Sequence, residues 1–115
     1  MVVDLTYLEG ATDGDKELIS QLVQIFTEQV EEFTSEMRIS LENLDSERLR
    51  RVAHKAKGSI SSLGMNEVRE MLQEMEDYCV GREKIDDLVD VQEKVDWFVE
   101  RCRVALVELN SYLEG

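Results

Sequence analysis

The sequence predicts an all-α protein, an antiparallel up-and-down four-helix bundle with a short N-terminal capping helix. Three observations carry that expectation. None of the 115 residues is proline. Apolar residues recur at steps of three and four through almost the whole chain, the period of a helix with one buried face. The joints between these periodic stretches are short and marked by Gly, Asp or Asn. No alternating run competes as a strand. With 43% hydrophobic residues the chain can build one core and is short for two, so residues 1–115 read as a single domain.

The elements follow in order. A short helix is expected after Asp4, carrying Leu5 and Leu8 and stopping near Gly10, where it would cover one end of the bundle. The first long helix should begin at Asp13 as N-cap, because an aspartate side chain can accept from the free N–H groups of a first turn. Its apolar stripe reads Leu18, Leu22, Ile25, Phe26, Val30, Phe33, Met37, Leu41 and Leu44, with Glu28, Glu31, Glu32 and Glu36 on the other faces. A second helix starts at Asp45 or Ser46 and runs to about Leu63, where Gly64 can take the left-handed conformation that ends helices. The third runs from Asn66 as N-cap to Val80, with Val68, Met71, Leu72, Met75 and Cys79 inward and Gly81 ending it. The fourth spans about Glu83 to Tyr112, its stripe made by Ile85, Leu88, Val95, Phe98, Val99, Cys102, Ala105, Leu106, Leu109 and Leu113. Four amphipathic helices on short connections pack as neighbours that alternate in direction.

Charge and composition exclude several function classes. The formal net charge of -13 argues against nucleic acid, whose phosphates are met by clustered Lys and Arg. No stretch approaches the about 18 consecutive apolar residues of a membrane span, and Met1-Val2-Val3-Asp4 lacks the features of a secretory signal. A soluble, cytoplasmic chain without membrane partners is expected. Cys79 and Cys102 sit within apolar periodicities and lack CxxC spacing, which makes them buried thiols with no metal or redox role. The charge is uneven: Asp45 to Gly58 holds five basic residues, Arg48, Arg50, Arg51, Lys55 and Lys57, against Asp45 and Glu47. That island contains the only histidine, His54.

A lone histidine in a helical bundle is usually a satisfied core residue or a surface residue with no task. Helix geometry tests the core alternative. At roughly 100° per residue, Leu49, Val52, Ala56, Ile60 and Leu63 gather on one side of the second helix and His54 falls opposite, facing solvent. The same geometry puts Arg50, Arg51, Lys57, Gly58 and Ser61 on or beside the face of His54, one turn before and after it. A phosphoryl group on the ring would bring anionic oxygens that Lys57 or the arginines could meet with charge-assisted hydrogen bonds. Gly58, at i+4, removes a side chain beside the ring. Glycine inside a helix costs about 0.5–1 kcal/mol relative to alanine, so a closely approaching partner accounts for it better than stability does. Ser59 and Ser62 are less informative, since helical serine can close on a carbonyl one turn back.

The run Leu49-Arg50-Arg51-Val52-Ala53-His54-Lys55-Ala56-Lys57-Gly58-Ser59-Ile60-Ser61-Ser62-Leu63-Gly64 resembles the signature of histidine phosphotransfer (HPt) domains, whose core is AHxxKGSxxxLG. Every fixed position of that core is present. The likeness extends more loosely to the Asp4-to-Asp15 lead-in, the acidic first long helix and the pair Met75-Glu76, where such domains often carry Leu-Glu. Two positions depart from the commonest pattern, Lys55 where threonine is frequent and Ala56 where leucine is frequent; neither touches the required chemistry. The resemblance implies that His54 is phosphorylated on a ring nitrogen, that Lys57 contacts the phosphoryl group and that Gly58 allows access. Arg50, Arg51, Lys55 and Ser61 would frame the docking patch. It further implies a monomer whose partners are response-regulator receiver domains and a hybrid sensor histidine kinase.

Imidazole suits the task because it can be neutral and nucleophilic near neutral pH, so it attacks an acyl phosphate without a separate base. Its other nitrogen should be held by a hydrogen bond, for which the third helix offers Gln73 and Glu76; both remain open. With neither a Walker A loop nor a GxGxxG run to hold ATP, the chain reads as a stoichiometric carrier and not an enzyme. No cofactor or metal is expected in it; Mg2+ is expected on the receiver. A di-iron bundle would need Glu-x-x-His on two helices, whereas Arg51 stands three residues before the lone histidine. A pure binding module, which would sequester a receiver without accepting phosphate, is the stronger rival.

Overall fold

Aspartates start four of the five α-helices. The computed structural model describes residues 1–115 and contains α1 (Leu5–Thr12), α2 (Lys16–Glu42), α3 (Ser46–Ile60) extended by one 3-10 turn (Ser61–Leu63), α4 (Asn66–Cys79) and α5 (Leu88–Glu114), with no strand. Asp4, Asp15, Asp45 and Asp87 each accept from a backbone N–H of the following first turn, satisfying donors that have no partner inside the helix. No helix is long and apolar enough to cross a membrane.

The four long helices form a bundle in which α3 packs against α2 and α4, and α5 against α2 and α4. At 1.5 Å per residue the 27 residues of α2 and of α5 run about 40 Å, close to the 45 Å long dimension of the molecule. With 15 and 14 residues, α3 and α4 cover only about half that length. The N-terminal segment closes the remainder. Val3 and Leu8 are buried, the Val2 and Val3 N–H groups both donate to the Glu108 carboxylate at 3.0 Å, and the Tyr112 hydroxyl donates to Glu9 at 2.9 Å. At the end of the 3-10 turn, Gly64 adopts φ +64, and a Cβ there would lie 2.9 Å from Asp4 Cβ and 3.1 Å from Tyr7 Cδ1. The Asp4 N–H donates to the Gly64 carbonyl, so the turn after α3 is seated on the segment that starts α1.

Several boundaries differ from the sequence expectation. Asp13 does not cap α2: it ends α1 in the left-handed region at φ 55, because α1 continues through Gly10 to Thr12, and Asp15 takes the cap, accepting from Glu17 and Leu18 N–H. Asn66 is the first residue of α4 and not its cap; Met65 occupies the cap position without a side-chain bond and is 1% exposed, so burial decides that start. The last helix begins at Leu88, not Glu83. Residues 82–87 instead wrap Tyr78, whose hydroxyl accepts from the Asp86 and Asp87 N–H groups and donates to the Asp86 carboxylate, while Arg82 stacks on its ring. Ile85 is buried from this loop, Leu88 is exposed, and Val91 takes the inward position.

The stripe of α2 is also rotated at its start. Leu18 and Ile25 are exposed, whereas Ile19, Val23 and Phe26 are buried. Helical spacing puts Leu18 and Ile25 on the side of α2 that carries Glu32 and Glu36, the side facing α3. Because α3 is short, it does not extend over the first turns of α2 on that side, where Leu18 and Ile25 stay exposed. Along α3 itself Leu49, Val52, Ala56, Ile60 and Leu63 are all buried, joined by Ala53. Cys79 and Cys102 are buried free thiols, and burial pushes the Cys102 thiol up to about 12.

Candidate functional site

His54 stands outward on α3, its side chain 67% exposed, on the side away from the apolar face of that helix. The ring is nevertheless held. Its Nδ1 lies 2.5 Å from Glu76 Oε1 on α4, and Glu76 Oε2 accepts from Lys57 Nζ at 2.8 Å. Lys57 Nζ also donates to Gln73 Oε1 at 2.6 Å, and Gln73 Nε2 donates to Asp77 at 2.9 Å. One turn of α3 thus meets one turn of α4, His54 and Lys57 facing Gln73 and Glu76 across the helix pair.

Charge decides the tautomer. The Lys57 ammonium, against the opposing effect of burial and with help from the His54 ring, holds the Glu76 carboxyl below the usual range. Glu76 is therefore an ionised, acceptor-only group near neutral pH. The nitrogen facing it must carry hydrogen, so Nδ1–H points to Glu76, and in the neutral ring the lone pair is on Nε2. An imidazole so held is a positioned nucleophile with its reactive nitrogen uncommitted.

Among the candidate residues, the structure brings His54, Lys57, Gln73 and Glu76 into one connected set. Glu76, not Gln73, meets the ring; Gln73 meets Lys57. A Cβ at Gly58 would meet nothing within 4 Å, so the surface beside the ring is open. Ser61 Oγ donates to the Gly58 carbonyl at 2.8 Å and does not point to His54. Most of the basic island is neutralised by acids. Arg50 forms a two-point pair with Glu47, Arg48 one with Glu36, and Lys55 reaches Glu32 at 3.3 Å. Arg51 alone has no carboxylate within ion-pair distance. Glu32 and Glu36 were not expected at this site. Their signal was visible only as acidic positions on α2; the pairing depends on how α2 lies along α3.

The family model described as Hpt domain matches residues 21–114, which covers α3, α4, α5 and all but the first five residues of α2. The chain belongs to the Hpt domain family. No curated protein matches the sequence. Hpt domains are phosphocarrier modules, not enzymes; they serve histidine phosphotransfer in phosphorelays and interact with response-regulator receiver domains. Within this Hpt chain the Ala53-His54-x-x-Lys57-Gly58-Ser59 run lies on α3, with His54 and Gly58 exposed and Ala53 in the core.

Proposed function

We propose that His54 accepts a phosphoryl group on Nε2 from the aspartyl phosphate of a receiver domain, or from a kinase, and returns it to a response-regulator aspartate. The observation that carries this reading is the held ring: Nδ1 is bound to Glu76 while the side chain is 67% exposed. In the forward step the Nε2 lone pair attacks phosphorus, a P–N bond forms as the acyl P–O bond breaks, and the electron pair leaves with the aspartate carboxylate. The Nδ1 proton stays on the ring, facing Glu76, which offsets the positive charge the ring gains. Handing the group on reverses these steps.

Two of the three Lys57 N–H groups are committed to Gln73 and Glu76, and the third is proposed to reach the phosphoryl oxygens. The open surface at Gly58 suits the close approach of a receiver, with Arg50, Lys55 and Ser61 framing the patch. The chain itself is proposed to need no cofactor, Mg2+ being supplied by the receiver. A hybrid sensor histidine kinase as donor, a monomeric state and a cytoplasmic location complete the reading. In the test, the protein is incubated with a phosphorylated receiver carrying labelled phosphate. Label should move to the wild type and not to His54→Gln, whose helical circular dichroism should be unchanged because the side chain is 67% exposed and lies outside the core. A stable complex without label transfer would favour a pure binder.

A further inference from the structure

Resting on that reading, we infer that Arg51 is a phosphoryl-binding residue of this site, the cation that meets the second charge of phosphohistidine. A phosphoryl group on His54 is close to dianionic at neutral pH, while the ammonium of Lys57 is already shared with the Glu76 carboxylate at 2.8 Å and only 18% of its side chain is exposed. The Lys57–Glu76 pair therefore presents little net positive charge. The other cations of α3 are similarly compensated, Arg48 by Glu36, Arg50 by Glu47 and Lys55 by Glu32. Arg51 is exposed and has no such partner. Glu36 and Glu47 lie near enough to feel its charge, but neither closes an ion pair with it, so its guanidinium N–H groups stay free for an incoming anion one turn from an outward nucleophile.

Geometry agrees with charge. Helical side chains lean toward the N-terminus of their helix, so the His54 ring overlies the preceding turn, which carries Arg50 and Arg51. Glu76 holds the ring by Nδ1 from the α4 side, which leaves Nε2 as the uncommitted ring nitrogen. On the α2 side of α3, Arg51 lines a groove with Arg48, Lys55 and the acidic Glu32, Glu36 and Asp45, and a Cβ at Gly58, on the face of His54, would meet nothing. A guanidinium is planar and can give two parallel N–H bonds to phosphate oxygens. It would do so on the face of the phosphoryl group that Lys57 does not reach.

The probe is phosphoramidate, a small donor that carries no protein surface, so that contacts between Arg51 and a partner protein contribute nothing. In this reaction Nε2 attacks phosphorus and the donor's P–N bond breaks, releasing ammonia. Phosphohistidine formation and decay are followed by intact-mass spectrometry at neutral pH for wild type, Arg51→Gln, Arg51→Lys and His54→Gln, each confirmed as folded by thermal melt. Wild type should gain one phosphoryl group and His54→Gln none. Arg51→Gln should form phosphohistidine about fivefold more slowly or lose it about fivefold faster, the scale of one exposed charge contact, with Arg51→Lys in between. The difference should largely close at about 1 M salt, where screening reaches only about 3 Å. Arg51→Gln matching wild type at low salt overturns the inference and leaves the His54 reading standing, as does a defect that salt leaves unchanged. A folded wild type that gains no His54-dependent phosphate removes both.

Discussion

Replacing Glu76 by alanine removes the two charge-assisted bonds that organise the site, the 2.5 Å contact to His54 Nδ1 and the 2.8 Å bond from Lys57. Hydrogen bonds to charged groups contribute about 1.5–3 kcal/mol. The His54 side is 67% exposed, so solvent screens it and the low end applies. Losing about 1.4 kcal/mol of ring orientation slows transfer roughly tenfold. The Lys57 end is only 18% exposed, and its ammonium would keep Gln73 as sole partner, which should lower the melting temperature by a few degrees at about 1 kcal/mol. Glu76→Gln should fall between, since an amide oxygen can still accept from Nδ1–H but carries no charge. Single-turnover transfer from a phosphorylated receiver measures the rate. In a double-mutant cycle, Lys57→Ala alone should slow transfer by roughly tenfold, and the pair with Glu76→Ala should cost less than the two single losses combined, because Lys57 acts partly through Glu76. A folded Glu76→Ala protein that transfers at the wild-type rate would refute the positioning role, and strictly additive losses would refute the coupling.

Three further outcomes are expected. Gly58→Gln should raise stability by about 0.5–1 kcal/mol, since its side chain starts in open space, while transfer from a receiver drops sharply; unchanged transfer would show that no partner approaches there. Gly64→Ala should lower stability measured by chemical denaturation by about 1–2 kcal/mol for the left-handed backbone alone, and by more because its Cβ would collide with Asp4 and Tyr7. Acid titration should expose Glu76, whose carboxyl the Lys57 ammonium holds below the usual range. A lowered folded value contributes stability that is present above the ordinary glutamate value of about 4.3 and lost as pH falls through the folded value. The melting-temperature gap between wild type and Glu76→Gln should therefore be present at about pH 5 and shrink as the pH falls below about 4.3.

Much of the site was legible before any fold was known, because it depends on one helix. The direction of His54 follows from the spacing of Leu49, Val52, Ala56, Ile60 and Leu63 alone, and the neighbourhood of Arg51, Lys57 and Gly58 from steps of three and four. The bundle class follows equally from period and from the missing prolines. Boundaries were less legible where two adjacent signals competed, as with Asp13 and Asp15, or where a loop found tertiary partners, as residues 82–87 did around Tyr78.

What only packing decided are the relations between helices. Gln73 and Glu76 share a face of α4, and the offset of α4 along α3 puts Glu76 at the ring and Gln73 at Lys57. The basic island looked strongly positive in the chain, yet Glu32 and Glu36 of α2 compensate Lys55 and Arg48, which isolates Arg51 as the one unpaired cation of α3. Likewise Leu18 and Ile25 belong to an apolar stripe in the sequence but lie exposed because α3 ends short of them. The physical reason is common to all three. A helix imposes its 3.6-residue geometry on its own neighbours within each turn, whereas the axial offset and length of the helix beside it are set by side chains far apart in the chain, which meet only when the core closes.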